Sequence, residues 1–230
     1  MRPTARLERL RQSWIPLTPA EVLQLARDSK KRIIQSEEQL LDLVMESLAC
    51  LEAKLHGETP QVFCLWDNLG KRGSKPKDEG SLSDYIVSHL KNELEDSGVI
   101  LNREVEIRRR NGSARGERTD IFVQTTSTDS TGRSNVISLV VEVKGNWNEE
   151  IDTAMETQLV GRYLNEFRCH TGVYLVGCFD STDWISSDRR RSRSRRRSIE
   201  DIRLFLGNQA MELSRDGRYC IKAFALNISR

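Results

Sequence analysis

The chain has 230 residues, 37% of them hydrophobic and 30% charged, with a formal net charge of +2. That length suffices for one sizeable core with a small helical appendage, and no stretch approaches the length of an apolar membrane span, so a soluble, cytoplasmic protein with no membrane partner is expected. The opening MRPTARLERLRQSW is basic but lacks the apolar region and small-residue cleavage site of a signal peptide, and five scattered cysteines without C-x-x-C spacing disfavour both zinc sites and disulfide frameworks.

In chain order, TPAE at 18–21 is a capping box with proline at the first helical position, and SEEQ at 36–39 opens a longer helix. Leu41, Val44, Leu48, Leu51 and Leu55 recur every three or four positions, one buried stripe that ends before Gly57 and Pro60. The stretch 67–80, DNLGKRGSKPKDEG, is rich in glycine, lysine and proline and reads as a linker. It divides a helical region, 1–75, from a second domain, 76–230. Residues 81–98 form an amphipathic helix with Leu82, Ile86, Leu90 and Leu94 at four-residue spacing and Gly98 as C-cap.

Three strands are expected next, at 99–110, 119–125 and 136–144, the last two joined by a hairpin connection at 129–135. Composition returns to helix over 149–167, and GVYLVGCF at 172–179 is a continuous apolar run suited to a strand buried on both faces. RRRSRSRRR at 189–197 holds seven arginines, and taking these seven from +2 leaves the rest of the chain at −5. Two readings stay open for Arg189, Arg190, Arg191, Arg193, Arg195, Arg196 and Arg197: a solvated, mobile loop, or a salt-dependent grip on nucleic-acid phosphates. Ser198 caps a last helix to about residue 214, and 219–228 adds a final strand.

Within the third strand, Glu142 and Lys144 share one face while Leu139, Val141 and Val143 cover the other. On solvent the pair would contribute little; in a closed cleft its desolvation would cost several kcal/mol unless something offset it. Asp120 opens the neighbouring strand, so two carboxylates and an ammonium converge at one sheet edge. Paired carboxylates raise each other's pKa unless a divalent cation lies between them, and hard oxygen ligands suit Mg²⁺ or Mn²⁺.

RTD at 118–120 and EVK at 142–144, set in a helix, three strands, helix, strand order over residues 82–180, resemble the PD-(D/E)xK nuclease superfamily. Thr119 stands where the name-giving proline would be, and EEIDTAMETQLVGRYL at 149–164 is similar to the Gln-containing helix of the RecB-like branch. Gln158 matches that pattern, whereas Tyr163 falls one position late. The resemblance implies a restriction-endonuclease-like α/β core, a central mixed sheet flanked by helices, with an N-terminal helical extension. It also implies a Mg²⁺-dependent endo- or exodeoxyribonuclease in which Asp120, Glu142 and the Val143 carbonyl hold the metal. By the same resemblance Lys144 orients the attacking water and Gln158 supports the site. An acidic residue of the first core helix would join them, with Asp84 favoured over Glu79 and Glu93. Arg118 beside Asp120 reads either as a phosphate contact or as a surface partner for a carboxylate.

The helical segment 1–66 is compatible with attachment to a larger bacterial defence or DNA-processing assembly, and the helix at 36–56 with a homodimer. His89 and His170 have no Ser or Cys nucleophile nearby in the sequence to activate, and Trp147 reads as strand-end packing or as a base-stacking ring. The competing functional reading is a non-catalytic nucleic-acid-binding or effector-docking module that keeps the fold.

Overall fold

A computed structural model of the chain describes residues 17–27, 33–108, 117–128 and 133–230. Its centre is a five-stranded mixed sheet of β3 (Ile100–Arg108), β4 (Glu117–Thr128), β5 (Ser134–Gly145), β6 (Thr171–Cys178) and β7 (Cys220–Asn227), hydrogen-bonded in that order. The first three strands form an antiparallel meander, and β5, β6 and β7 run parallel. Each parallel step requires a crossover. One is made by the π-helix Met155–Leu164, which runs on into the short α4, Asn165–Phe167; the other passes through α5 (Arg190–Ser194) and α6 (Ile199–Leu213). All eight residues of β6 are buried, as its unbroken apolar sequence requires of a strand covered on both faces.

Alternation along the strands builds two cores. Leu139, Val141 and Val143 of β5 join Val173 and Leu175 of β6 on one face, under α2 (Glu37–His56) and α3 (Glu79–Leu94). Val140 of β5 and Tyr174 and Val176 of β6 face the other way, under the π-helix and α6. The predicted apolar stripe of α2 is realised: Leu41, Val44, Leu48, Leu51 and Leu55 are all buried, and Ser36 caps the helix by accepting from the Gln39 amide. A shorter helix, α1 (Pro19–Arg27), precedes it behind the Thr18 cap.

Two expectations change. The stretch 67–80 is not a linker: β1 (Trp66–Asn68) pairs antiparallel with β2 (Ser74–Pro76), and Asp78 then caps α3, which begins two residues earlier than the leucine spacing indicated. The boundary expected at residue 75 does not separate two cores either, because Leu40, Leu48 and Leu55 of α2 lie in the same cluster as Leu82, Ile86 and Leu90 of α3 and Val141 of β5. Among the described residues no helix is long and apolar enough to cross a membrane.

Candidate active site

The β4–β5 ladder runs from Thr128 opposite Ser134 up to Ile121 opposite Val141 and stops there. Beyond it the strands part, and β4 continues to pair only with β3, Thr119 opposite Val105. Val143, two residues past the last pair, therefore has no β4 backbone partner; its N–H donates instead to Asp120 Oδ2 at 2.9 Å. The splay is what admits a carboxylate between two strands, and it brings Asp120 beside Glu142.

The face shared by Glu142 and Lys144 is not solvent. Glu142 is 2% exposed and Lys144 9%, since their side of β5 is roofed by the π-helix and Glu142 stands opposite Tyr174 of β6. Lys144 Nζ donates to Glu142 Oε1 at 2.6 Å and to Gln158 Oε1 at 3.0 Å. Gln158 Nε2 in turn donates to Glu150 Oε2 at 2.6 Å, which fixes the amide with its carbonyl toward the lysine. A chain of polar contacts thus runs from exposed Glu150 through Gln158 and Lys144 to Glu142. Glu142 Oε2 is buried with no hydrogen-bond partner among the described residues.

Electrostatics follow from that burial. Glu142 is pushed up to about 8, first by desolvation and then by the Asp120 charge, with Lys144 opposing. Asp120 is also raised by burial, against the Val143 N–H and Lys144, which pull it down. Burial by itself would lower Lys144, but the neighbouring carboxylates, Glu142 foremost, outweigh it and hold the ammonium above its ordinary value. Two carboxylates face one ammonium, and among the described residues Glu142 Oε2 has no donor to accept from; only while Glu142 keeps its proton can it donate to Asp120.

The third carboxylate comes from the start of α3, and it is Glu79 rather than Asp84. Glu79 Oε1 accepts from the Gly145 N–H at 2.9 Å and from Asn148 Nδ2 at 2.8 Å, tying the helix N-terminus to the end of β5. Its charge reaches Asp120 and Lys144. Asp84 is turned outward, its side chain 73% exposed and paired with Arg103 at 3.0 Å, while Glu93 is bound to Lys54. The Asp78 cap is the signal that could have moved the helix start back and brought Glu79 forward. Glu150 and Asn148 carried no sequence signal, because their partners lie eight and sixty-nine positions away.

The remaining expectations sort by position. Gln158 joins the cluster as its motif implied. Tyr163, five positions on, is buried on the same π-helix in the apolar cluster of that face. Trp147 is packing: its ring lies 4.8 Å from Phe179 and folds back over Gly145, where a Cβ would meet it at 2.5 Å. His89 is buried against Ser47, His170 is exposed, and all five cysteines are free. The Arg118 side chain lies outside the described residues.

The arginine block is a short docked helix rather than a loose loop. Arg190 binds Asp188 and the Pro76 and Lys77 carbonyls and covers the Trp147 ring, and Ser194 is buried, accepting from Asn146 Nδ2 at 2.7 Å. Arg193 pairs with Glu149, Arg195 with Asp180 and Arg197 with Asp152. Arg189, Arg191 and Arg196 form no ion pair among the described residues.

A divalent cation is tested by this geometry. Among the described residues no three His, Cys, Asp or Glu side chains form a metal cage by themselves. Two adjacent carboxylates with a free, buried oxygen fit Mg²⁺ or Mn²⁺, which keep several waters and take one or two protein carboxylates together with substrate phosphate oxygens. Comparison with protein-family models, curated proteins and solved structures finds no match for this chain.

Proposed function

We propose that the chain is a metal-dependent nuclease hydrolysing phosphodiester bonds in DNA on a restriction-endonuclease-like core. The observation that carries this reading is the Asp120–Glu142–Lys144 cluster, buried at Glu142 and Lys144 and half-buried at Asp120, with Glu142 Oε2 left without a partner among the described residues. A structural ion pair needs one carboxylate for one lysine; the second carboxylate adds a desolvation cost that the Val143 N–H and the shared ammonium offset only in part. A cation held by Asp120 and Glu142, completed by the Val143 carbonyl, would offset it, and when bound it supplies charge neutralisation at the phosphate and a more acidic water.

The chain's own groups do the rest. Lys144, held by Gln158, presents an ammonium where charge develops on the phosphoryl oxygens. Glu79 anchors the β5 end through Gly145 and Asn148 and keeps the strand splay in register. Water adds to phosphorus and gives up a proton to solvent, while the ester oxygen leaves with the bonding pair and takes up a proton from solvent. The test is cleavage of circular and linear DNA, single- and double-stranded, with Mg²⁺ or Mn²⁺ against EDTA. Metal-dependent cutting that Lys144→Ala lowers by about 100-fold or more at unchanged melting temperature is expected.

One observation favours a non-catalytic nucleic-acid-binding module: Lys144 is already closed in a pair with Glu142. Retained DNA binding without cutting under every metal condition would establish that reading and make the carboxylates structural.

A further inference from the structure

The seven arginines do different work. Arg190 pins the segment to β2 and to Trp147, and Arg195 faces Asp180 and the Ser181 carbonyl. Arg193, Arg196 and Arg197 instead line a cavity of about 510 Å³ between α5 and the turn that follows β5, opposite Asn148, Glu149 and Asp152. A second cavity, which contains Glu79 and Glu150, shares Asn148, Glu149 and Arg193 with the first. The two thus form one continuous surface from Glu79 and Glu150, at the edge of the carboxylate cluster, to the arginines, while Asp120, Glu142 and Lys144 line neither cavity. Asn146 fixes that arrangement, since it bonds both to buried Ser194 of α5 and to the Phe179 backbone beyond β6.

We propose that this groove binds the sugar-phosphate backbone of the DNA strand whose scissile bond lies at Glu142. Glu149 and Asp152 hold the Arg193 and Arg197 guanidiniums in place of phosphates until that strand arrives. The inference rests on the nuclease reading for the position of the scissile bond, but not for backbone binding itself. Both pairs are exposed enough to exchange: the side chains are 43% and 70% exposed in Arg193–Glu149, and 30% and 52% in Arg197–Asp152. Such pairs hold weakly, whereas a phosphate takes the guanidinium fork in two parallel bonds and releases condensed counterions from the nucleic acid. Arg196, on the same wall with no ion pair among the described residues, is free to make the first contact.

The experiment is fluorescence anisotropy with labelled single-stranded and duplex DNA oligonucleotides in EDTA, where no cleavage occurs, over about 50–200 mM salt. Replacing Arg193, Arg196 and Arg197 together by glutamine lowers the slope of log K against log salt by about two to three, while Arg195→Gln alters it by less than about one. Glu149→Gln with Asp152→Asn acts in the opposite direction, tightening binding by roughly fivefold or more because phosphate no longer displaces a carboxylate. That second variant keeps the test decisive if the triple variant folds poorly. An unchanged slope in a folded triple variant, or no tightening in the carboxylate variant, overturns the groove. Wild-type cleavage with Mg²⁺ alongside unchanged slopes would remove the groove and leave the nuclease reading, whereas the predicted binding changes without cleavage would do the reverse.

Discussion

Glu142 couples stability to pH in a direction opposite to that of most carboxylates. Its folded value near 8 lies above the ordinary 4.5, so between those values the folded state holds a proton that the unfolded chain releases. The stability this contributes is present below about pH 4.5 and is lost as pH rises through 8. Thermal unfolding of the metal-free protein in EDTA should thus show a fall on going from pH 5 to pH 8, on the order of 2–4 kcal/mol. Glu142→Gln should flatten that fall and raise the midpoint at pH 8. Mg²⁺ should restore the wild type at pH 8 but not the variant; a wild type insensitive to Mg²⁺ would count against the metal seat.

The contact between Gln158 and Glu150 allows a separate residue-level expectation. Glu150 touches no reacting atom; it is a positioning residue that keeps the Gln158 carbonyl toward Lys144. If the chain cleaves DNA as proposed, Glu150→Ala should lower kcat about tenfold with KM little changed, since a misaligned amide would weaken only what Lys144 does in the transition state. Glu150→Gln retains an acceptor oxygen and should recover most of the loss. Equal loss in both variants would mean that Glu150 acts through its charge.

At the scale of elements, β6 was the most legible strand because its burial is uniform. The β6 run and the α2 stripe are patterns with a single physical solution. The face of Glu142 and Lys144 followed from alternation, but its burial did not, because only the crossover returning over β5 decides whether a strand face is wet. The start of α3 was misplaced for a related reason: glycine and lysine around position 73 resemble linker composition, while the Asp78 cap that overrides them is one side chain. With that start corrected, Glu79 and Asp84, five residues apart on α3, make a contrast. Glu79→Ala removes the acceptor for Gly145 and Asn148 and should reduce cleavage by about 100-fold or more, as expected for a lost group that holds the site in place. Asp84→Ala breaks only an exposed pair and should stay within about twofold. Steady-state rates for the two purified variants decide it, and the reverse order would return the third acidic position to Asp84.

The same correction extends to the whole molecule, since a chain divided at residue 75 would leave the sheet without half its cover. Leu40, Leu41, Leu48, Leu51 and Leu55 of α2 are each 0–1% exposed and pack with α3 and the sheet. Burial of such a side chain contributes about 1.5–3 kcal/mol, so five of them rival the entire 5–15 kcal/mol by which a typical domain is stable. Glu52 adds a polar tie from α2, accepting from the Asn227 amide at the end of β7 and from Arg203 of α6. Residues 76–230 expressed alone should therefore lack a cooperative thermal transition and expose apolar surface to a hydrophobic dye, whereas a chain beginning at residue 33 should unfold cooperatively near the full-length midpoint. A sharply melting, DNA-cutting fragment 76–230 would show instead that the sheet and α3 suffice, and that α2 is an attachment carried for some other purpose.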